Sequence, residues 1–339
     1  MSALTKFLEL TYNISLVDDR IANFGDSIQE FNVARHSGAK CPLNSLGVVA
    51  ITGSDARDFI NAQFTTNCLE LTEVRSQLSG WCDPKGRVLF LFTLYCDNDH
   101  LLAILPRAQT ATFLQRLRMY ILRAQVELRD VSDAVTVIGL IDAPGVANPG
   151  YPDLVAPWDS KRDSDSRTIV RYGPDPIRYL IVSDSASALL WWQELEIQEV
   201  GEDAWLAFDS YAGMPRVDVH NSGKFLPQNL NLDSLAAVSF SKGCYPGQEV
   251  VARLKYRGKV KKRLIAAEYA SDSEIAAGAA LRVNGDDRLV GEVLAVQRIG
   301  ASRSVLSAVV DISVPLGDMK IEGSTNVALE QLTLPYEIA

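Results

Sequence analysis

The sequence lacks the patterns that mark several large classes of protein. No stretch approaches the roughly 18 uncharged apolar residues that a membrane-spanning helix needs. Five cysteines stand at positions 41, 68, 82, 96 and 244, and no two of them form a CxxC pair. This spacing argues against a disulfide framework and against zinc or iron–sulfur ligation. The start, MSALTKFLEL, does not have the pattern of a secretory leader, so we expect a cytoplasmic protein.

Histidine and positive charge are also scarce. The chain has 3 histidines in 339 residues, too few to suggest a dedicated metal site, and we predict none. Its formal net charge is −9, which disfavours nucleic acid on average, and we expect no DNA partner. An anion would therefore have to bind where positive charge is concentrated locally.

The apolar patterning predicts a mixed α and β region followed by an all-β region. LGVVAITG (46–53) predicts a buried strand, and residues 202–213 predict an amphipathic helix ended by glycine and proline. Beyond residue 258 we expect a small antiparallel barrel and no long helix. Its strands are expected near 260–269, 279–284, 288–299 and 304–312. We therefore divide the chain into residues 1–258 and a C-terminal β-barrel, residues 259–339.

One segment, FSKGCYPGQEVVARLKYRGKVKKR (240–263), contains an isolated cysteine. Cys244 follows Lys242 and precedes a Pro-Gly pair that can begin a helix at Gln248. Nearby positive charge and the positive end of a helix both favour a thiolate. Gly243 and Gly247 allow a close backbone approach. We expect Cys244 to be a functional thiol, and the alternative is a small residue packed in a tight turn.

The same segment carries a basic stripe. Its cations alternate along the sequence, and in an extended segment they would face one side. They are Lys255, Arg257, Lys259, Lys261 and Arg263. This density of like charge predicts an anion patch for RNA phosphate, a polyglutamate tail or a phosphate ester, and the alternative is a solvated strand face.

The longer segment SGKFLPQNLNLDSLAAVSFSKGCYPGQEVVAR resembles the signature region of the YgfZ family, bacterial folate-binding proteins linked to tRNA modification and iron–sulfur enzyme maintenance. The core K-G-C-Y-x-G-Q-E is the most specific part. ITGSDARDFINAQFTTN and AWLAFDSYAGMP resemble earlier family blocks in the same order. The resemblance implies an α+β fold related to the glycine-cleavage T-protein, an aminomethyltransferase. Its parts are a split folate-binding domain, an inserted ferredoxin-like domain and a C-terminal antiparallel β-barrel.

The resemblance also implies roles for particular residues. Cys244 takes the place of a cysteine that is essential in the family. The motif around it comprises Lys242, Gly243, Tyr245, Gly247, Gln248, Glu249 and Arg253. Trp205 matches a tryptophan implicated in folate binding, and an indole can stack on a flat pterin. The implied cofactor is tetrahydrofolate or a derivative, and the alternative for Trp205 is simple core packing.

Three departures separate the chain from the aminomethyltransferases and their relatives. KGRVLFLF contains no carboxylate where those enzymes carry an aspartate, so we do not expect aminomethyl transfer. Leu46 stands where the family can carry a second tryptophan. Tyr211 stands where a glutamate is usual, and a tyrosine cannot accept two N–H bonds from a pterin edge. Asp209 would substitute for that glutamate only if its side chain faced the ligand.

The resemblance implies a folate-binding accessory protein for tRNA modification and iron–sulfur enzyme maintenance. Its expected partners are a reduced folate and an iron–sulfur tRNA-modifying enzyme or tRNA. Two alternatives remain. One is a folate-dependent one-carbon enzyme with Asp209, Glu249 and His220 as acid–base candidates. The other is direct RNA binding through residues 253–263.

Overall fold

The structure, a computed structural model, describes residues 2–18, 20–98, 100–143, 151–271, 275–324 and 327–339. The α-helices in these ranges are α1 (Ala3–Thr11), α2 (Ser27–Ser37), α3 (Ala56–Gln63), α4 (Thr110–Arg118), α5 (Ser185–Glu194), α6 (Glu202–Tyr211) and α7 (Gln248–Arg257). Short 3-10 helices cover Cys68–Glu70, Arg107–Gln109, Pro227–Leu230 and Leu316–Asp318. None of the described helices is long and apolar enough to cross a lipid bilayer.

Strands make up the rest of the regular structure. The first half of the chain contributes β1 (Ser15–Val17), β2 (Arg20–Asn23), β3 (Ala39–Pro42), β4 (Leu46–Thr52), β5 (Gln77–Cys82), β6 (Val88–Asp97), β7 (His100–Pro106), β8 (Glu127–Asp130) and β9 (Val135–Ile141). The second half contributes β10 (Ser160–Arg162), β11 (Thr168–Arg171), β12 (Arg178–Asp184), β13 (Lys262–Ala270), β14 (Ala280–Val283), β15 (Leu289–Arg298), β16 (Arg303–Asp311), β17 (Met319–Ile321) and β18 (Glu330–Gln331).

Three large sheets organise these strands. The first, here called the N-terminal sheet, has the order β5-β6-β7-β4-β8, and the middle sheet has the order β10-β11-β12-β9-β3. The chain leaves the middle sheet after β3, builds the N-terminal sheet, and returns to the middle sheet at β9. The segment that forms the N-terminal sheet is thus inserted between β3 and β9 of the middle sheet, which agrees with the predicted split domain.

The C-terminal sheet has six strands in the order β17-β14-β15-β16-β13-β18 and curls into a half-barrel. Its strands pair antiparallel, and the four longest lie close to the positions predicted from the sequence. The sheet begins at Lys262, and the domain boundary at residue 258 stays a prediction.

The sheets are layered with helices. Helices α3 and α4 cover one face of the N-terminal sheet, and α1 and α5 cover one face of the middle sheet. Between the two sheets lies a shared core that contains α6. The strands of the middle sheet are apolar on both faces because each face packs against a core. In β9, Val137 and Ile141 face the shared core, whereas Ile138 and Leu140 face α1 and α5.

Helix α6 is buried on most of its surface and contacts α2, β2, β3, β15 and β16. Its Trp205 lies directly against Gly139 of β9. A Cβ atom at residue 139 would approach Cε3 and Cζ3 of the indole to 2.6 Å, well inside van der Waals contact. The glycine therefore makes room for the tryptophan, and together they fix the distance between α6 and the middle sheet.

We expect Gly139→Ala to destabilise the fold by about 1–3 kcal/mol, because overpacking a filled core forces side chains and backbone to shift. Urea unfolding followed by circular dichroism measures the change. Gly243→Ala is the matched control, because nothing lies within 4 Å of a Cβ built there. Equal stability of the two variants would contradict the close contact.

Candidate functional site

A cavity of about 70 Å³ lies between the N-terminal sheet and α6. Most of its wall is apolar and comes from β4, β6, β7 and α6. The polar side chains in the wall are Ser45, Thr93, Glu202, Asp209 and Arg216. Trp205, Asp209 and Leu46 were singled out from the sequence, and all three line this cavity. The cavity is the place where the described residues best combine enclosure with charged groups.

Trp205 lines the cavity but is tightly packed among other side chains. Its side chain is 4% exposed. The guanidinium carbon of Arg178 lies 4.7 Å from the centre of its ring, and the ring of Tyr172 lies 5.4 Å away and tilted. Arg178 therefore already covers one face of the indole on which a pterin was predicted to stack.

Asp209 was expected to replace the missing glutamate only if its side chain faced the pocket, and it does line the cavity. Its Oδ1 accepts a hydrogen bond of 2.7 Å from Nη1 of Arg178, which is fully buried. Burial raises the pKa of Asp209, while the charge of Arg178 opposes that rise. Tyr211 lies outside the cavity wall and donates its hydroxyl to Oε1 of Glu268 at 2.6 Å. Asp209, and not residue 211, therefore contributes a carboxyl group to this cavity wall.

Glu202 is a second buried carboxyl group in the wall, and the sequence did not reveal it. It is 1% exposed and accepts hydrogen bonds from the backbone N–H of Ser45 at 3.0 Å and from the Ser45 hydroxyl. Burial raises its pKa to about 7. In the sequence Glu202 is an acidic residue in the first turn of a helix, where carboxylates are common on electrostatic grounds. Glu202 differs from other such residues in its hydrogen bonds from Ser45, and these form only when the chain folds.

Arg216 follows α6 and lines the same cavity. It is half-buried, and among the described residues its guanidinium makes no hydrogen bond or ion pair. Its positive charge lowers the pKa values of both Glu202 and Asp209, so it lies near both carboxyl groups. The sequence alone gave Arg216 no role.

The cysteine motif is separate from this cavity. None of residues 240–249 is part of the cavity wall, and Cys244 is exposed. Cys244 therefore does not line the cavity that Trp205 lines. The thiol is accessible from solvent, as a functional cysteine requires.

Lys242 anchors the motif to the rest of the protein. Its ammonium group donates to the backbone carbonyls of Asn61, Phe64 and Thr66, the last two at 2.7 and 3.0 Å. Three acceptors use all three N–H donors of a lysine. Burial lowers the pKa of Lys242 to about 8. This lysine fastens the motif to the end of α3 and leaves no donor for a ligand at Cys244.

The two motif glycines differ. Gly247 has φ +79°, and a Cβ there would lie 2.5 Å from Cα of Gly86, in the turn between β5 and β6. The close approach expected at Gly247 is confirmed, whereas Gly243 has open space around it. Tyr245 is buried, and helix α7 begins directly after Gly247. Glu249 and Arg253 are exposed on that helix.

The prediction that the basic stripe lies on one extended segment is wrong. Helix α7 continues through Arg257, so Lys255 and Arg257 lie on a helix, and β13 begins only at Lys262. Arg263 does not belong to an exposed patch. It is 4% exposed, and its Nη1 lies 2.6 Å from Oδ1 of Asp233. Residues 263–267 of β13 are all buried, and the arginine that begins this run has its own carboxylate in Asp233.

Five cations around α7 do remain exposed. None of them forms an ion pair with another described residue, although Lys255 lies 5.6 Å from the ring centre of Phe240. They are Arg253, Lys255, Arg257, Lys259 and Lys261. An anion patch formed by these five cations, without Arg263, stays a prediction.

The buried carboxyl group of Glu202 predicts a pH dependence of stability. Its pKa in the folded protein, about 7, exceeds the ordinary 4.5, so the folded state holds the proton more tightly. This contribution to the free energy of unfolding is complete below about pH 4.5 and is lost as the pH rises through 7. Glu202→Gln, which cannot ionise, should show a shallower decline between these values in urea unfolding.

The control for that measurement is Glu249→Gln, which removes a carboxylate from the exposed face of α7. Its pH profile should match that of the native protein. If Glu202→Gln and the native protein lose stability in parallel from pH 4.5 to 8, Glu202 does not titrate as its burial indicates.

Comparison with known proteins agrees with this architecture. Residues 14–142 match the family described as the GCVT N-terminal domain. The whole chain is similar to the glycine cleavage system aminomethyltransferase T from Bartonella henselae, at 14% sequence identity and a TM-score of 0.74, covering 99% of this chain and 97% of that one. A chain of the heterotetrameric sarcosine oxidase from Corynebacterium sp. U-96 matches at 13% identity over 48% of this chain and 85% of its own, with a TM-score of 0.34. The first two matches show that this chain has the T-protein-like fold predicted from its sequence.

Proposed function

We propose that this protein is a folate-binding accessory protein of the YgfZ type, which supports tRNA modification and the maintenance of iron–sulfur enzymes. The observation that carries the proposal is the charged cavity beside α6, within a T-protein-like fold. The exposed Cys244 in its K-G-C-Y-x-G-Q-E motif supports the same assignment.

The hydrogen-bonding side chains in the cavity wall suit a tetrahydrofolate. A pterin presents N–H donors and a carbonyl, for which carboxyl groups and a guanidinium are complementary partners. Asp209, Glu202 and Arg216 would hold the cofactor. When bound, a tetrahydrofolate supplies ring nitrogens that carry one-carbon groups. The protein's own contribution is to bind it, orient it and keep water from it.

The volume of the cavity limits how folate can bind. At about 70 Å³ it is smaller than the roughly 150 Å³ cavity that accommodates a benzene molecule. A bicyclic pterin is larger than benzene, so it enters only if the wall opens. Leu46, Leu206 and Arg216 are among the partly buried wall residues, and movement of their side chains would open the wall with less disruption than movement of a fully buried residue.

We expect isothermal titration calorimetry to show saturable binding of 5-formyltetrahydrofolate at one site per chain. Leu206→Trp should abolish it by filling the cavity. Leu189→Trp is the control, because Leu189 is a half-buried helical leucine that packs in the separate cluster of α1 and α5. Absence of native binding, or unaltered binding by a folded Leu206→Trp protein, would refute a folate site in this cavity.

The cellular part of the proposal concerns Cys244. In cells that depend on this chain, Cys244→Ala should lower methylthio-modified tRNA nucleosides, because the exposed thiol is the reactive group of the motif. Mass spectrometry of digested tRNA measures the level. Ser241→Ala alters an exposed neighbour and should leave the level unchanged. Native levels with Cys244→Ala would separate the thiol from tRNA modification.

Direct RNA binding is a second candidate, favoured by the five exposed cations around α7 that lack a carboxylate partner among the described residues. A one-carbon enzyme has less support. Of its acid–base candidates only Asp209 lines the cavity, and Arg178 already engages it. His220 and Glu249 are exposed and outside the wall.

A further inference from the structure

An open groove lies beside helix α7, apart from the cavity beside α6. Its volume is about 440 Å³, within the range of roughly 300–1,000 Å³ that small-molecule sites occupy. Its wall comes from the segment between α3 and β5, the first residue of β5, the segment just before Lys242, and α7. No residue lines both the groove and the cavity beside α6, so the two are separate sites.

Two aromatic rings line the groove, and one of them is open to solvent. Tyr256 of α7 is 69% exposed. Its ring centre lies 6.2 Å from that of the partly buried Phe240, and the two ring planes meet edge to face at 75°. Aromatic pairs prefer this arrangement, so Phe240 supports the Tyr256 ring. The exposed ring therefore offers a stacking face to another flat ring.

The polar atoms of the wall suit a neutral, hydrogen-bonding ring better than an anion. Oε1 of Gln77 is buried and accepts no hydrogen bond from any described residue, although Nε2 of the same amide donates to the carbonyl of Asn67 at 2.9 Å. The described wall contains no lysine or arginine, and it contains one carboxylate, Glu70. That carboxylate disfavours a phosphate inside the groove, whereas the amide oxygen can accept an N–H from the edge of a nucleobase.

Positive charge lies just outside the groove. Arg253 and Lys255 share α7 with Tyr256, and Nζ of Lys255 lies 5.6 Å from the ring centre of Phe240. Together with the other three exposed cations around α7, they make no ion pair with another described residue. Five cations supply more positive charge than one nucleotide balances. The arrangement therefore matches several consecutive phosphates of a strand.

We propose that this groove takes an unpaired base of a single-stranded RNA segment, which stacks on Tyr256 while the adjacent phosphates lie along the cations of α7. A base inside a duplex has neighbours on both faces and does not reach the groove, so a single strand is selected. The inference goes beyond the folate cavity and rests on the tRNA part of the proposed function. It differs from binding by charge alone, because it assigns a base to the groove.

Fluorescence anisotropy with end-labelled RNA tests the base site. The two probes are a short single strand of mixed sequence and the duplex that it forms with its complement. The native protein should bind the single strand more tightly than the duplex. Tyr256→Ala should weaken binding of the single strand by about 5- to 150-fold, the loss expected for one stacked base, and leave binding of the duplex unchanged.

Three further variants separate stacking from charge. Tyr256→Phe keeps the ring and should bind as the native protein does. Tyr120→Ala removes a tyrosine that is 44% exposed and lies outside the groove wall, and it should also bind normally. Lys255→Gln should weaken binding of both probes and reduce the slope of log K against log salt by about 0.7 for the single strand. Tyr256→Ala should leave that slope unchanged. Circular dichroism establishes that each variant is folded.

The outcomes separate the base site from the rest of the proposed function. If Tyr256→Ala binds the single strand as tightly as the native protein, or loses as much affinity for the duplex, the base site is wrong and RNA binding by the exposed cations stands. If the native protein binds neither probe, both are overturned. Folate calorimetry and the effect of Cys244→Ala on tRNA nucleosides report on the proposed function independently, so a failure of one is distinguishable from a failure of the other.

Discussion

The buried ion pair between Arg178 and Asp209 connects the parts of this protein. Arg178 begins β12 of the middle sheet, and Asp209 lies on α6, which also contacts β15 and β16 of the C-terminal sheet. The guanidinium sits against the rings of Tyr172 and Trp205. Loss of one partner from such a pair typically costs about 3–5 kcal/mol, because the other charge stays buried. The position of α6, and with it the cavity wall, depends on this contact.

The same C-terminal end of α6 is also joined to the C-terminal sheet, which accounts for the tyrosine at position 211. Tyr211 donates to Glu268 of β13, and just beyond it the hydroxyl of Tyr336 donates to the carbonyl of Gly213 at 2.7 Å. A glutamate at position 211 would face Glu268 with the same charge, and like charges in close contact repel. Tyr211 thus belongs to the contact between helix and sheet, and the carboxylates near the cavity come from Glu202 and Asp209.

Periodicity was sufficient to predict helix α6 and the four longest strands of the C-terminal sheet, since these depend on local apolar patterning, but it did not predict the short strands β17 and β18. The resemblance supplied the fold as a whole. The interactions that define the cavity could not be predicted, because Ser45 and Glu202, or Arg178 and Asp209, meet only after distant segments fold together. The prediction of an extended basic stripe from the alternating cations failed for a related reason. Alternation does not reveal that a helix continues to Arg257 or that Arg263 has Asp233 as a buried partner.

The sequence places the local positive charge of this acidic protein in the segment that carries the cysteine, but in the structure a further cation lies at the cavity. Arg216 stands at the cavity, whereas the exposed cations of α7 follow the loop that carries Cys244. Lys242, the cation nearest in sequence to the thiol, is already bound to three carbonyls. Cys244 is exposed and lies outside the cavity wall, so on this geometry the thiol and the cavity are two separate elements of the same protein.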